Sequence, residues 1–112
     1  MNWEEARQEI KANVKIGTDV NSKRSRFRFV EAVDLSGLRV RIGRSNVLSI
    51  PWEMLETCFA PLNTAEGYSG VFFQQRYPSE YKDHDCHVHV VGRVFVKAGF
   101  AEAVDEHTYK TR

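Results

Sequence analysis

The clearest alternation of hydrophobic and polar positions lies between Arg24 and Arg44. A turn is predicted over 34–37, because its aspartate can hydrogen-bond to the local backbone and its glycine carries no Cβ. Successive side chains of a strand point to opposite faces, so folding the chain about this turn sorts the residues into two sets. One set is apolar apart from Glu31. Its predicted members are Phe27 and the cross-strand pairs Val33 with Leu38, Glu31 with Val40 and Phe29 with Ile42.

The opposite face of this predicted hairpin is rich in arginine. Its members are Arg24, Arg26, Arg28, Val30, Ala32, Arg39 and Arg41. A slip of one residue would exchange the two faces and bury arginines, so the pattern favours a single register.

Helical spacing of apolar residues predicts elements on either side of the hairpin. A helix is expected over 2–16, with Asn2 as its cap and Gly17 at its end. A third strand over 47–50 leads into a second helix, which Pro51 begins and Pro61 stops near Ala60.

Patterns in the second half of the chain are less decisive. Residues 70–77 fit a short helix capped by Ser69, with a strand as the alternative because of the aromatic residues. Residues 79–83 are expected to form a loop. Residues 84–99 fit a helix with Asp83 as cap and Gly99 just past its end, whereas the His-Val alternation fits a strand. The end signals favour the helix.

Together these elements predict an α+β fold in a single domain of 112 residues. It has an N-terminal helix, a three-stranded antiparallel meander, two or three helices packed on one face, and a possible short C-terminal strand over 104–110.

Positive charge is concentrated in the hairpin. Residues 22–45 carry seven basic and two acidic side chains, a net charge of +5, whereas the whole chain has +1. Guanidinium groups bind phosphate through paired hydrogen bonds, and a β-ribbon fits the major groove of DNA. The pattern therefore predicts a nucleic-acid-binding domain, most consistent with DNA. The candidate contact residues are Lys23, Arg24, Arg26, Arg28, Arg39, Arg41 and Arg44.

Two observations weigh against this interpretation. Exposed faces of antiparallel sheets are commonly charged, so the arginines are equally explained as a solvated surface. The isoelectric point of about 7.8 is lower than that of many nucleic-acid-binding domains.

A histidine-rich segment suggests a second hypothesis, a small metal-dependent or histidine-assisted enzyme. His84, His87 and His89 lie close to two aspartates and Cys86. On a strand His87 and His89 would share a face, but on the favoured helix they point apart and cannot hold one ion. Histidines that cap, pack or titrate at a helix start are the alternative, so neither a metal nor a cofactor is predicted.

A third hypothesis is an accessory protein that forms homodimers. The aromatic residues available for an interface are Tyr68, Phe72, Phe73, Tyr77 and Tyr81, which fit a core equally well. Two unpaired cysteines, no signal-peptide pattern and no membrane-spanning run favour a cytoplasmic protein with reduced thiols. Catalytic motifs such as GxSxG and the P-loop are absent from the sequence.

Overall fold

The computed structural model describes residues 1–21 and 28–112. Within these ranges the chain begins with a helix and a three-stranded antiparallel sheet in the order β1-β2-β3. These elements are α1 (Trp3–Asn13), β1 (Phe29–Asp34), β2 (Gly37–Arg41) and β3 (Val47–Pro51). The predicted N-terminal helix and antiparallel meander are therefore confirmed.

Helix α1 begins with a reciprocal cap. The Glu5 backbone N–H donates to Asn2 Oδ1 at 2.8 Å, and the Asn2 N–H donates to Glu5 Oε1 at 3.0 Å. The helix ends at Asn13, earlier than the predicted residue 16, because Val14 already has extended backbone angles. Gly17 then turns the chain with a φ of +91°.

The predicted register of the hairpin is wrong at Glu31 and at the residues that precede it in β1. A β-bulge lies between Val30 and Ala32, where Glu31 is the extra residue. It places Val30 in the core opposite Val40, where uninterrupted alternation would have buried the Glu31 carboxylate. The observed pairs are Val33 with Leu38, as predicted, and Ala32 with Arg39, Val30 with Val40 and Phe29 with Arg41.

The segment before the hairpin lies along the free edge of β1. The Val30 N–H donates to the Thr18 carbonyl at 2.9 Å, and the Val20 N–H donates to the Arg28 carbonyl at 3.0 Å. The Arg28 N–H in turn donates to Asn21 Oδ1 at 2.7 Å. The backbone of Arg28 is therefore fixed to the segment that lies along the edge of β1.

The third strand leads directly into α2 (Trp52–Phe59), and a 3₁₀ helix over Ala60–Asn63 follows. The predicted helix and its end before Pro61 are confirmed. Trp52 is 8 % exposed, and its Nε1–H donates to the Asp34 carbonyl at 2.9 Å. It is thus a packing residue that joins α2 to the hairpin turn.

The second half of the chain combines helices with a small sheet. Its elements are β4 (Tyr68–Ser69), α3 (Gly70–Arg76), α4 (Pro78–Asp83), α5 (His87–Ala98), β5 (Ala101–Ala103) and β6 (Thr108–Thr111). The strands of the small sheet run antiparallel in the order β4-β6-β5. The predicted C-terminal strand is thus one half of a hairpin.

The helices of this half confirm two of the sequence predictions and contradict a third. Helix α3 is confirmed, because Ser69 Oγ accepts from the Phe72 N–H. The loop expected over 79–83 is wrong, since Pro78 begins α4 as a helix-compatible first residue. The helix expected over 84–99 is confirmed as α5, although it starts at His87 rather than after Asp83.

Helix α5 is the centre of the hydrophobic core. Its Phe95 ring lies 6.2 Å from the ring of Tyr68 and 5.6 Å from that of Phe100, centre to centre. Gly99 closes the helix with a φ of +96°, as predicted. In the described ranges, no helix combines the length and the apolar character needed to cross a membrane.

Candidate functional site

The seven basic residues predicted to contact nucleic acid fall into three groups. Lys23, Arg24 and Arg26 lie outside the described residues. Arg39 and Arg41 lie on the outer face of the sheet, with Arg44 exposed in the following turn. Arg28 lies on the inner side of the sheet, so the structure does not bring the described members together on one face.

Arg39 and Arg41 both pair with acids of the hairpin itself. Arg39 Nη2 lies 2.7 Å from Asp34 Oδ2, and Arg41 Nη2 lies 2.6 Å from Glu31 Oε1. Arg41 Nη1 also donates to the Arg44 carbonyl at 3.1 Å. The Ser36 backbone N–H, with Arg39 as a further cause, holds the pKa of Asp34 below its usual value. Each pair is locally neutral, which lowers the net charge of this face.

The placement of Arg28 corrects the predicted face. Because the bulge makes Val30 point into the core, Arg28, two residues earlier, lies on the same inner side of the sheet. Its positive charge acts on Cys86, His89 and Tyr109.

These contacts define a cationic cluster, formed by Arg28, His89, Arg93, His107 and Tyr109. His89 Nδ1 lies 3.2 Å from the Tyr109 hydroxyl oxygen, and the His89 and His107 rings are 5.7 Å apart. Tyr109 is 1 % exposed. Its ring fits against α5 at Gly92, where an added Cβ would lie closer than 3.0 Å to three ring atoms.

Burial and like charge decide the protonation states in the cationic cluster. Desolvation lowers the pKa of His89, and the charges of His107, Arg28 and Arg93 lower it further, against an opposing effect of Asp85. Desolvation raises the pKa of Tyr109, which Arg93 and Arg28 partly offset. At neutral pH the His89 imidazole and the Tyr109 phenol are therefore neutral beside the guanidinium groups of Arg28 and Arg93.

The three histidines of the predicted metal or enzyme site have different surroundings. His87 is 5 % exposed and stacks on Phe73 at 5.6 Å, and its Nδ1–H donates to the His84 carbonyl at 2.8 Å. His89 instead belongs to the cationic cluster. Across residues 1–21 and 28–112, no three His, Cys, Asp or Glu side chains are grouped so that they could hold a metal ion.

Acidification is expected to destabilise the protein through His87. Burial lowers its pKa, so the unfolded state binds the proton more tightly than the folded state. The stabilisation is complete above the ordinary value of 6.5 and is lost as the pH falls below it. Urea denaturation at pH 7.5 and pH 5.5 should show a smaller loss for His87→Asn than for the wild type. An equal loss in both proteins would contradict this role.

The aromatic residues proposed for a dimer interface contribute largely to the core. Tyr68 and Phe73 are fully buried, whereas Phe72, Tyr77 and Tyr81 are partly buried and pack against the same core. Cys58 is buried and Cys86 is half-buried, and both thiols are free, as predicted. Burial raises the pKa of each, which makes them poor nucleophiles at neutral pH.

Three members of the cationic cluster, Arg93, His107 and Tyr109, were missed by the sequence prediction of binding residues. The available signal is the polar stripe of α5, where His89, Arg93 and Lys97 recur every four residues. Tyr109 has no comparable signal, because its place depends on the pairing of β4 with β6.

Comparisons with known proteins add no family to this description. No protein-family model matches the sequence, and neither the curated proteins nor the solved structures gave a match. What the protein does is therefore inferred from its own residues.

Proposed function

We propose that the protein binds nucleic acid, with duplex DNA as the preferred form, through the face of α5 that carries His89, Arg93 and Lys97. This retains the ligand class that the sequence predicts and moves the principal contact surface from the outer hairpin face to α5. The reasons are the connectivity around α5 and the distribution of charge.

The connectivity supports a groove-binding helix. Three residues, His84 to Cys86, join α4 to α5, and the β5–β6 hairpin follows directly. Helix-turn-helix units join two helices by a turn of this length and present the second helix to the major groove. This likeness is one of connectivity alone.

The charge of α5 is the observation that carries the proposal. The helix contains two basic residues, Arg93 and Lys97, together with two histidines and no acid. Its apolar residues are buried, while His89 and Arg93 are half-buried and Lys97 is exposed. A basic stripe on the second helix of a short-turn pair is suited to phosphates and base edges.

Two neighbouring features limit the extent of this surface. The tip of the β5–β6 hairpin carries Asp105 and Glu106, which would repel phosphate. On the outer sheet face, Arg39 and Arg41 are compensated by Asp34 and Glu31. The favoured contact surface therefore runs from α5 towards Arg28 rather than over either hairpin.

The two faces can be compared by variants that remove the same charge. Arg93→Ala/Lys97→Ala and Arg39→Ala/Arg41→Ala each remove two positive charges. We expect the first variant to weaken binding of a short fluorescent DNA duplex and to reduce the slope of log affinity against log salt by about 2, since each phosphate contact contributes about 0.9. The second variant should keep a slope close to that of the wild type.

Fluorescence anisotropy at several salt concentrations measures both quantities, with a single-stranded probe for comparison. Absence of wild-type binding at low salt would refute the proposed function. A larger effect of the Arg39/Arg41 variant would instead return the contact surface to the outer hairpin face.

A further inference from the structure

Three N–H groups in the cationic cluster are buried without an acceptor in the described part of the chain. They are Nε and Nη1 of Arg28 and Nε of Arg93. Buried polar groups of folded proteins are almost always hydrogen-bonded, and buried charges are paired. Such donors indicate a position that a ligand with acceptor atoms would complete.

The two arginine side chains converge from different elements. Arg28 extends from the start of β1, where its backbone is fixed to Val20 and Asn21. Arg93 lies one helical turn after His89 on α5. Arg93 hydrogen-bonds to the Tyr109 hydroxyl, and the charges of both arginines act on the Tyr109 phenol and on the His89 imidazole, which places the four groups in one neighbourhood.

Tyr109 is held in this region by close packing. The absence of a side chain at Gly92 lets its ring lie directly on α5. The hydroxyl is thereby placed beside His89 Nδ1, at 3.2 Å, on the side of the helix that carries Arg93. A fixed neutral hydroxyl next to two guanidinium groups is a hydrogen-bond donor for an anion.

Nearby acids compensate little of the positive charge of Arg28 and Arg93. Among residues 1–21 and 28–112, neither Arg28 nor Arg93 takes part in the ion pairs that the structure contains. Asp85 acts on His89 from the exposed turn before α5, and its effect is smaller than those of the surrounding cations. Two guanidinium groups that share a partly desolvated region repel one another unless an anion lies between them.

We propose that Arg28, Arg93, His89 and Tyr109 form a binding site for one phosphate group. The guanidinium N–H groups donate to its oxygens, as arginine commonly does with phosphate. The Tyr109 O–H donates to a further oxygen, while His89 Nδ1–H donates to the Tyr109 oxygen. Where the phosphate belongs to a nucleic-acid backbone, the site rests on the proposed function and anchors that backbone beside α5; a free phosphate ester has the same chemistry.

Inorganic phosphate is the first probe. Thermal unfolding of the wild type should shift to higher temperature with added sodium phosphate at constant ionic strength, adjusted with sodium chloride. Calorimetric titration should show an affinity about ten- to hundredfold lower for Arg28→Gln and Arg93→Gln, since each loses hydrogen bonds to a charged group. In chloride alone, neither variant should melt below the wild type, because each loses a half-buried positive charge that has no acidic partner among the described residues.

Arg39→Gln is the matched control, since it removes one arginine that already has a carboxylate partner, and it should bind phosphate as the wild type does. Arg93→Lys keeps the charge but lacks Nε–H, and a loss of affinity there would support directed hydrogen bonding. An equal phosphate response in wild type, Arg28→Gln and Arg93→Gln would overturn the site, as would no response in the wild type.

Parallel titrations with glycerol phosphate and with a DNA duplex separate the two sources of the phosphate. Binding of phosphate and glycerol phosphate without binding of DNA would support the site and refute the proposed function. DNA affinity that is unchanged in Arg28→Gln and Arg93→Gln would overturn the site as part of that interface and would remove Arg93 from the proposed contact surface, while DNA binding by the wild type would still support nucleic acid as the ligand.

Discussion

Raising the pH from 9 to 12 is expected to remove about 3 kcal/mol from the free energy of unfolding through Cys58 alone, because each pKa unit corresponds to about 1.4 kcal/mol and the thiol is already half-ionised in the unfolded chain at pH 9. Burial raises the pKa of this thiol from 9.0 to about 12. The unfolded chain therefore loses the thiol proton at a lower pH than the folded protein does. The stabilisation is complete below pH 9 and is lost as the pH rises through 12.

Buried tyrosines add to the loss of stability at alkaline pH. Burial raises the pKa of Tyr68 well above 10.0, and its hydroxyl donates to the Val88 carbonyl at 3.0 Å. Its ionisation requires disruption of the core, so it adds to the loss above pH 10. Since domains of this size are stable by about 5–15 kcal/mol, unfolding at strongly alkaline pH is expected.

Cysteine variants distinguish the thiol from the tyrosines. Between pH 8.5 and pH 10, Cys58→Ala should show a clearly smaller loss of stability than the wild type in guanidinium denaturation. Cys86→Ala is the matched control, because this thiol is only half-buried and should contribute less. An unchanged alkaline slope in Cys58→Ala would show that Cys58 does not carry the effect.

Replacement of Gly92 by alanine is expected to destabilise the protein by about 1–3 kcal/mol, the usual range for overpacking. Alanine is favoured over glycine inside a helix by about 1 kcal/mol, so helix propensity alone predicts the opposite sign. The new Cβ would lie closer than 3.0 Å to three ring atoms of Tyr109. That ring is buried and lies 6.0 Å from the ring of Tyr68, which limits its movement.

Urea denaturation measures this change directly. Gly43→Ala serves as the control, because an added Cβ there meets nothing within 4 Å, and its stability should stay within about 0.5 kcal/mol of the wild type. A Gly92→Ala protein as stable as the wild type would show that Tyr109 is not seated on α5. The same variant should also weaken phosphate binding, since the Tyr109 hydroxyl would be displaced.

Local signals in the sequence were sufficient for the elements that local chemistry determines. The cap at Asn2, the glycine at position 99 and the turn at 34–37 each act within a few residues, and the structure confirms them. Helix α4 was missed because its six residues lack an apolar stripe and none of them is buried. A prediction from periodicity cannot find an element that has no buried face.

The small sheet and the cationic cluster depend on contacts distant in sequence. Strand β4 has two residues, and it pairs with β6 about forty positions later. Arg28 joins α5 only because of the bulge at Glu31, which strict alternation of side chains does not reveal. The concentration of arginine was evident in the sequence, but its division between two surfaces was not.

The bulge at Glu31 acts as a phase shift in the alternation of β1. Side chains before it emerge on the face opposite to the one that an uninterrupted strand would give them. If β1 continued through Glu31 without the bulge, Glu31 and Phe29 would turn inward and Arg28 would move to the outer surface, which would leave Arg93 as the remaining guanidinium of the cluster. The accommodation of Glu31 as one unpaired extra residue thus determines on which face of the sheet Arg28 lies.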